Sequence, residues 1–387
     1  MKSRLILINC IIAVTSIYTP LFFYSFFKFL SSSENSYYEK SLNLEISAVN
    51  NGYMPIFYPD QILKNENIPE SYPVGTLPFT STYLCDEGYG LITYKSDRFG
   101  LRNKDKNWNN IMNKSNIFII GDSFAHGACV PQEFTINNQL EESTKQNILN
   151  MATASNGPYE HKAVIKLMLK PIIKNSKKNN TAILIFYPND DLPLNQKRQN
   201  LLDSENSIVS IKMNGDVLPK LKYVKDINKF IKDNYPTTKK EIIREIQENG
   251  KKRLDSFKHS AFYYIVSLFP IRRAIRVVLT ELPLINFRQT TERPSMQAVE
   301  LLAENCRDLC KPIVAYIPPS NYWTRYLNAD NFKKKLKNIS NKYGIIFIDG
   351  EEVLDRNNIK DYAPESEHLS LEGYKKFADL IKKNVIN

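Results

Sequence analysis

Histidine is scarce in this chain. Only four of its 387 residues are histidine, at positions 126, 161, 259 and 368. Acid–base chemistry run by an imidazole must draw on that short list. Glycine is sparse as well, with 13 residues, and it nowhere forms a loop that could cradle phosphate. The five cysteines lie at 10, 85, 129, 306 and 310, and no His/Cys grouping has the spacing of a zinc site. The reading therefore carries no metal, and no cofactor is required. Acidic residues are in deficit, 41 against 52 Lys and Arg, for a net charge of +11.

Charge is also missing where its absence says most. Leu5 to Phe27 contains no charged residue across 23 positions and is mostly Ile, Leu, Phe and Tyr. At about 1.5 Å per residue such a helix spans a bilayer. Lys2 and Arg4 precede it, which favours an amino terminus inside. No Ala-x-Ala-like cleavage site follows, only Lys28-Phe-Leu-Ser-Ser-Ser. The expectation is a retained membrane anchor over 1–30, with the rest on the periplasmic or extracellular side. Cysteine usage fits an oxidising compartment. Outside the cytoplasm the basic excess is not expected to meet nucleic acid.

Most of that excess sits in one segment. Gln196 to Thr290 holds 19 Lys and Arg against 10 Asp and Glu, a net of +9. Lys239 to Lys258 reads as a charged helix. Phe262 to Leu279 is apolar, with Arg272, Arg273 and Arg276 clustered in it. Three readings stay open for this insertion: a cap over a site, a patch touching anionic lipid or glycan, or a solvated basic face.

Residues 31–60 read as a tether passing into irregular structure, the first part of a lead-in over 31–110. Leu91 to Tyr94 is a short strand, and Lys95 to Gly100 a turn. Asp97, Arg98 and Arg102 there either line a polar substrate site or form a local ion-pair cluster that pins the lead-in.

From residue 111 the chain alternates strands and helices, which implies a parallel sheet with right-handed crossovers. Strands are expected at 116–120, 147–151, 181–187, 312–317 and 344–348. Helices are expected at 133–145, 159–176, 295–310, 330–342 and 370–384. Ligands of such sheets bind beyond the carboxyl ends of the strands. Ser123, Ser155 to Gly157, and Asn189 all fall just after strands. In Ile117-Phe-Ile-Ile-Gly-Asp-Ser-Phe-Ala-His-Gly127, Gly121 lets the chain turn sharply. Ser123 then sits where a strand hands over to a helix, near free backbone N–H groups. It is either a nucleophile or part of an N-cap.

Four blocks in order separate those alternatives: Gly121-Asp122-Ser123, Asn150 to Gly157, Tyr187-Pro-Asn189-Asp190, and Glu365-Ser-Glu-His368-Leu-Ser-Leu-Glu-Gly373. Together they resemble the SGNH (GDSL-like) hydrolase superfamily over about 115–195 and 295–387. The resemblance implies a three-layer α/β/α sandwich around a parallel five-stranded, flavodoxin-like sheet, here with a β-rich lead-in and the helical insertion 196–290. It implies a serine esterase working through an acyl-enzyme, with Ser123 as nucleophile and His368 as base. The family's aspartate three residues before the histidine is Glu365 here, and Asp361 and Glu367 are rivals for its role. The oxyanion donors implied are the Ser123 N–H, a backbone N–H at Ser155 or Gly157, and the Asn189 side chain. The block's glycine falls on Ser155 in one register and on Gly157 in the other. Tyr94 to Asn103 resembles a stretch that precedes the serine block in related bacterial proteins.

Anchored, outward-facing members often act on O-acetyl groups of envelope or exported carbohydrate. An acylated carbohydrate is therefore the expected partner, together with the membrane. A transferase variant would need a membrane partner that supplies acyl groups. A lipid or lysophospholipid esterase and a catalytically silent glycan-binding module are the rivals. A bridge between Cys85 and Cys129 would tie the lead-in to the turn that carries Ser123. Cys306 and Cys310 lie near a helix end, where a bridge needs some distortion.

Overall fold

The computed structural model describes Tyr18 and residues 33–64, 68–188, 207–266, 292–321, 326 and 328–386. All of the expected anchor over 5–27 except Tyr18, together with Asn189, Arg272, Arg273 and Arg276, lies outside the described residues. Among those described, no helix is long and apolar enough to cross a membrane. The chain divides into two compact units, Met1–Asn51 with Pro236–Asn286, and Gly52–Tyr235 with Phe287–Asn387. The lead-in from Gly52 onward thus shares a unit with the sheet, as does the part of the insertion up to Tyr235.

In the first unit a helix spans Ser33–Asn50, which corrects the expectation of a tether there. A second helix spans Lys239–Val266. The two pack together: a Cβ on Gly250 would lie 2.8 Å from Leu42 Cδ1, and Lys239 Nζ donates to the Asn50 carbonyl at 3.3 Å. Ala48 and Val49 are buried. Apolar periodicity in 33–50 is weak, so this helix depends on its partner more than on its own pattern.

The second unit opens with a small sheet of β1 (Met54–Pro55), β2 (Ser81–Tyr83) and β3 (Thr93–Lys95). β1 and β2 run parallel, and β2 and β3 antiparallel. Five longer strands follow: β4 (Asn116–Ile120), β5 (Asn147–Asn150), β6 (Thr181–Phe186), β9 (Lys311–Tyr316) and β10 (Ile346–Asp349). Between β6 and β9, β7 (Val209–Ile211) and β8 (Val217–Pro219) form a separate hairpin. The five strands lie in the order β10-β9-β6-β4-β5, all parallel. Their positions match the sequence expectation to within about two residues.

Side-chain alternation along these strands makes the three layers. Ile117, Ile119, Ile183, Ile185 and Ile313 face one core, with Ile136 and Leu140 of α2 (Ile136–Thr144) and Tyr374, Phe377 and Ile381 of α8 (Leu371–Ile386). Phe118, Ile120, Ala182, Leu184, Phe186 and Val314 face the other. That second core is closed by α3 (Pro158–Val164), which continues through a π-helical segment Ile165–Leu169 into α4 (Lys170–Asn175), and by α6 (Glu292–Cys306) and α7 (Ala329–Lys342). Strands covered on both faces read as unbroken apolar runs, which is why they were visible in sequence. α5 (Leu221–Asn234) packs Tyr223, Ile227 and Ile231 into the same core. The chain leaves β4 toward β5 on one side and returns to β6 on the other. That reversal opens a crevice at the carboxyl ends of the strands.

Asp97 and Arg98 do not line a substrate site, and the structure corrects that expectation. Asp97 is fully buried. Its Oδ1 accepts from the Phe99 and Leu101 N–H groups at 2.8 and 2.9 Å. Its Oδ2 accepts from Asn103 Nδ2 at 2.9 Å and Trp108 Nε1 at 2.6 Å. Burial pushes its carboxyl up to about 6, against the pull of these donors. Arg98 donates to both oxygens of Asp105 and to Asn109 Oδ1. Gly100 completes the turn at φ 78°, where a Cβ would stand 1.8 Å from the Thr76 carbonyl oxygen.

The turn is thus a structural knot, and removing its acceptor should destabilise the unit. Each buried donor left unpaired costs about 1–3 kcal/mol. Urea unfolding of Asp97→Ala is expected to show a loss of at least about 3 kcal/mol. An unchanged midpoint would contradict this account of the lead-in.

Candidate active site

β4 ends at Ile120 and the chain turns at Gly121. A Cβ there would lie 2.6 Å from Ala125 Cβ and 3.0 Å from the Ile185 carbonyl oxygen, so the strand and the following helix close on each other only around glycine. Asp122 caps the helix by accepting the Phe124 N–H at 3.0 Å. The helix, α1 (Ser123–His126), is one turn long and stops at Gly127, φ 81°. The capping role therefore belongs to Asp122 and not to Ser123. Ser123 Oγ is left half-buried at the mouth of the crevice. From β5, Asn150 Nδ2 donates to the Ala125 carbonyl at 2.8 Å and steadies this turn.

His368 reaches Ser123 from the far end of the sequence. Its loop is fastened by Ala363 N–H to the His368 carbonyl at 2.7 Å and by Ser370 N–H to the Asp361 carbonyl at 3.0 Å. The imidazole rests on Phe124 at 4.7 Å between ring centroids, and Phe124 stacks on Tyr187 at 3.8 Å. His368 Nε2 stands 2.8 Å from Ser123 Oγ. The structure thus joins two of the expected residues in one hydrogen bond.

The carboxylate on the other ring nitrogen is Glu87. Its Oε1 lies 2.6 Å from His368 Nδ1. This corrects the expectation of Glu365, whose side chain is exposed and is not among the ring's hydrogen-bond partners in the described residues. Neither rival takes the place. Asp361 is buried, accepting from the Asp355 N–H at 2.9 Å and from Lys376 Nζ at 2.7 Å. Glu367 accepts from the hydroxyls of Tyr187 and Tyr326 at 3.2 Å. Ser366 Oγ is a further neighbour of Nδ1, at 3.2 Å. The His368–Ser123 hydrogen bond fits an Nε2 acceptor and an Nδ1–H that donates to Glu87.

Electrostatics favour the imidazolium. Burial opposes charge on His368. The hydrogen bond and charge of Glu87, with the charges of Asp122 and Glu367, outweigh burial and raise its pKa above the ordinary histidine value. Asp122 is itself pushed up to about 6 by burial, a rise that the nearby His368 limits. His126 is held well below the ordinary value, by burial first and then by Arg102 and His368. It stays neutral and packs edge-on against Tyr94.

The turn after β5 treats the two expected backbone donors differently. The Gly157 N–H already donates to Glu160 Oε2 at 3.0 Å, within a capping box that starts α3. Ser155 lies in the left-handed region at φ 64°. Its N–H makes no hydrogen bond among the described residues. Ser155 thus adopts the backbone a glycine would take, in the turn after the strand next to that of Ser123. Asn189, the third expected donor, falls outside the described residues.

Cys85 and Cys129 are joined in a disulfide, with their Cα atoms 5.1 Å apart. Cys306 and Cys310 form a second. The distortion expected for that second bridge is a break in the helix. α6 ends at Cys306 and the chain turns through Asp308 at φ 59° before Cys310. Among the described residues, Cys85, Glu87 and Cys129 form the one grouping of metal-ligand type, and its two sulfurs are bonded to each other.

No family model matches the chain, and no curated protein matches it. Among solved structures it is similar to a lipolytic-type G-D-S-L family protein from Desulfitobacterium hafniense, at 13% identity and a TM-score of 0.37, over 70% of this chain and 98% of that one. A lipolytic G-D-S-L family member from Veillonella parvula gives 12% and 0.36, over 70% and 99%. A psychrotrophic esterase from Pseudoalteromonas gives 10% and 0.31, over 70% and 100%. Likenesses this distant assign no role to any residue, and the site stands on its own geometry.

Two measurements check that geometry without any substrate. Glu87→Gln removes the largest interaction that raises the His368 pKa, so an NMR titration of the ring should find that pKa lowered, while Glu365→Gln should leave it in place. The opposite pattern would return the role to Glu365. Ser155→Gly relieves a left-handed non-glycine residue, worth about 1–2 kcal/mol, against an entropy cost of about 0.4–1 kcal/mol. A net gain of about 0.5–1 kcal/mol in unfolding free energy is expected. A loss would mean that the Ser155 side chain stabilises the turn.

Proposed function

We propose that this chain is a serine ester hydrolase acting through an acyl-enzyme. One observation carries the reading: Ser123 Oγ stands 2.8 Å from His368 Nε2 while Glu87 Oε1 stands 2.6 Å from Nδ1. A hydroxyl, an imidazole and a carboxylate in that order form a nucleophile, a base and a group that orients the base. Ser123 attacks the ester carbonyl as His368 takes its proton. Imidazolium forms beside Glu87 and Asp122, whose negative charges stabilise it. The tetrahedral oxyanion is held by the Ser123 N–H at the start of α1, by the Ser155 N–H and by the Asn189 side chain. Each such donor is worth about 3–4 kcal/mol of barrier. His368 returns the proton to the leaving alcohol, and water then repeats the sequence on the acyl-enzyme.

A glutamate in place of the aspartate, and no certain glycine in the second block, leave room for a silent binding module. Glu87 and the left-handed Ser155 fill those places, which supports an enzyme. O-acetyl groups of an envelope or exported carbohydrate are the proposed substrate, with the protein anchored by residues 5–27 and facing outward. Two disulfides support an oxidising compartment. A sugar hydroxyl in place of water would make the protein an acetyltransferase, and a membrane partner would then supply acyl groups.

Ser123→Ala and His368→Ala should each lower kcat on a short acyl ester by at least about 1000-fold. The double variant should lose little more than either single variant, because the two act as one unit. Wild-type turnover in either variant would refute the reading. Activity of the wild type should rise with pH as His368 loses its proton. Its acid limb should lie above the ordinary histidine range, because that pKa is raised.

A further inference from the structure

Glu87 comes from a loop whose backbone hydrogen bonds close on themselves. Leu84 N–H donates to the Ile92 carbonyl at 2.8 Å, and Ile92 N–H to the Cys85 carbonyl at 2.9 Å. Inside the loop, Asp86 Oδ1 accepts from the Gly88 and Gly90 N–H groups at 2.9 Å. Toward the histidine loop it packs Gly88 against Pro364 and half-buried Tyr89 against the adjoining core, and the Tyr89 hydroxyl hydrogen-bonds with the Leu371 backbone. Its one covalent tie to the serine side of the site is the Cys85–Cys129 disulfide.

That tie lies at the carboxylate itself. The two sulfurs and a Glu87 carboxylate oxygen all fall within 4.8 Å of one another. Glu87 Oε1 is taken by His368, while Oε2 is buried and meets no donor among the described residues. The disulfide therefore lies beside this carboxylate and helps exclude water from it. Excluding water strengthens the contact between Glu87 and the imidazolium. The other end of the tie is equally fixed. Cys129 is buried, and Arg102 donates to the carbonyls on either side of it, Gly127 at 2.6 Å and Val130 at 2.8 Å.

We infer that the Cys85–Cys129 disulfide is a positioning device for catalysis: it holds the Glu87 carboxylate on His368, so that the third member of the site is complete only in the oxidised protein. The inference rests on the proposed serine-hydrolase reading. Its chemistry balances with a dithiol such as dithiothreitol as reductant. Two electrons and two protons pass to the Sγ–Sγ bond, giving two thiols, and the reductant closes to its own cyclic disulfide.

The test compares Cys85→Ser, Glu87→Gln and the double variant with wild type, after thermal melts show that each is folded. Cys85→Ser is expected to lower kcat on a short acyl ester by about 10–100-fold, as loss of an orienting partner does elsewhere, with little change in KM. It should also move the acid limb of the pH profile downward, the direction set by Glu87→Gln, with Asp122, Glu367 and His126 still facing the ring. In the Glu87→Gln background, Cys85→Ser should cost little more, because the group it positions is already gone. Independent, multiplying losses, an unmoved acid limb, or full kcat in Cys85→Ser would each overturn the inference.

Should Cys85→Ser fail to fold, wild type reduced by dithiothreitol serves instead, with peptide mapping to prove that this bridge is open. Full activity then overturns the inference equally. An NMR titration of the His368 ring separates this failure from that of the parent reading. If the pKa drops in Cys85→Ser while Ser123→Ala keeps its activity, the positioning stands and the serine mechanism falls. If Ser123→Ala is inactive and the His368 pKa is unmoved by Cys85→Ser, the mechanism stands and the positioning falls.

Discussion

A hydrogen bond between residues 245 positions apart, Ser123 and His368, sets the terms for the rest of this structure. It requires the turn after the central strand and the loop before the last helix to meet over the same crevice. The sheet supplies one side of that meeting. β4 is flanked by β5 and β6, and its end is pinned by Gly121, by the Asp122 cap and by Asn150. The final helix supplies the other. Its Tyr374, Phe377 and Ile381 lock into the core beneath β4, so the loop carrying His368 has little freedom once α8 is seated. Burial over the whole sheet is thereby converted into the placement of one imidazole.

The lead-in completes what the sheet begins. Asp97 gathers four donors into a buried knot. Asn103 leaves that knot to accept the Asn150 N–H at 2.7 Å. Arg102 reaches over to hold the segment after α1. A segment that precedes the five-stranded core in sequence is thus fused to the serine turn through polar contacts out of water. Such contacts are strong when complete and costly when broken, which ties stability of the lead-in to geometry at Ser123.

The parts of this arrangement legible in sequence were those with a local signature. Apolar runs such as Ile117 to Ile120 and Ala182 to Phe186 announce strands covered on both faces, and Gly-Asp-Ser announces the turn. Glu87 has no such signature. It reaches His368 across 281 residues, whereas the motif directs attention to the residues just before the histidine. The available clue was the pairing of Cys85 with Cys129, which carries the neighbours of Cys85 to the serine turn. Asp97 and Arg98 misled for a related reason. A sequence shows that a carboxylate is present, but not that four donors have already enclosed it. The helix over 33–50 was missed because its apolar pattern is weak and its support comes from a segment near residue 250.

The proposed mechanism requires Ser123 to become acylated during turnover. The most direct measurement is peptide mass spectrometry after rapid acid quench of the protein with an activated acetyl ester. One acetyl group is expected on the peptide containing Ser123, disappearing as hydrolysis finishes. Turnover with no acyl group on Ser123, or with the acyl group on another residue, would contradict it.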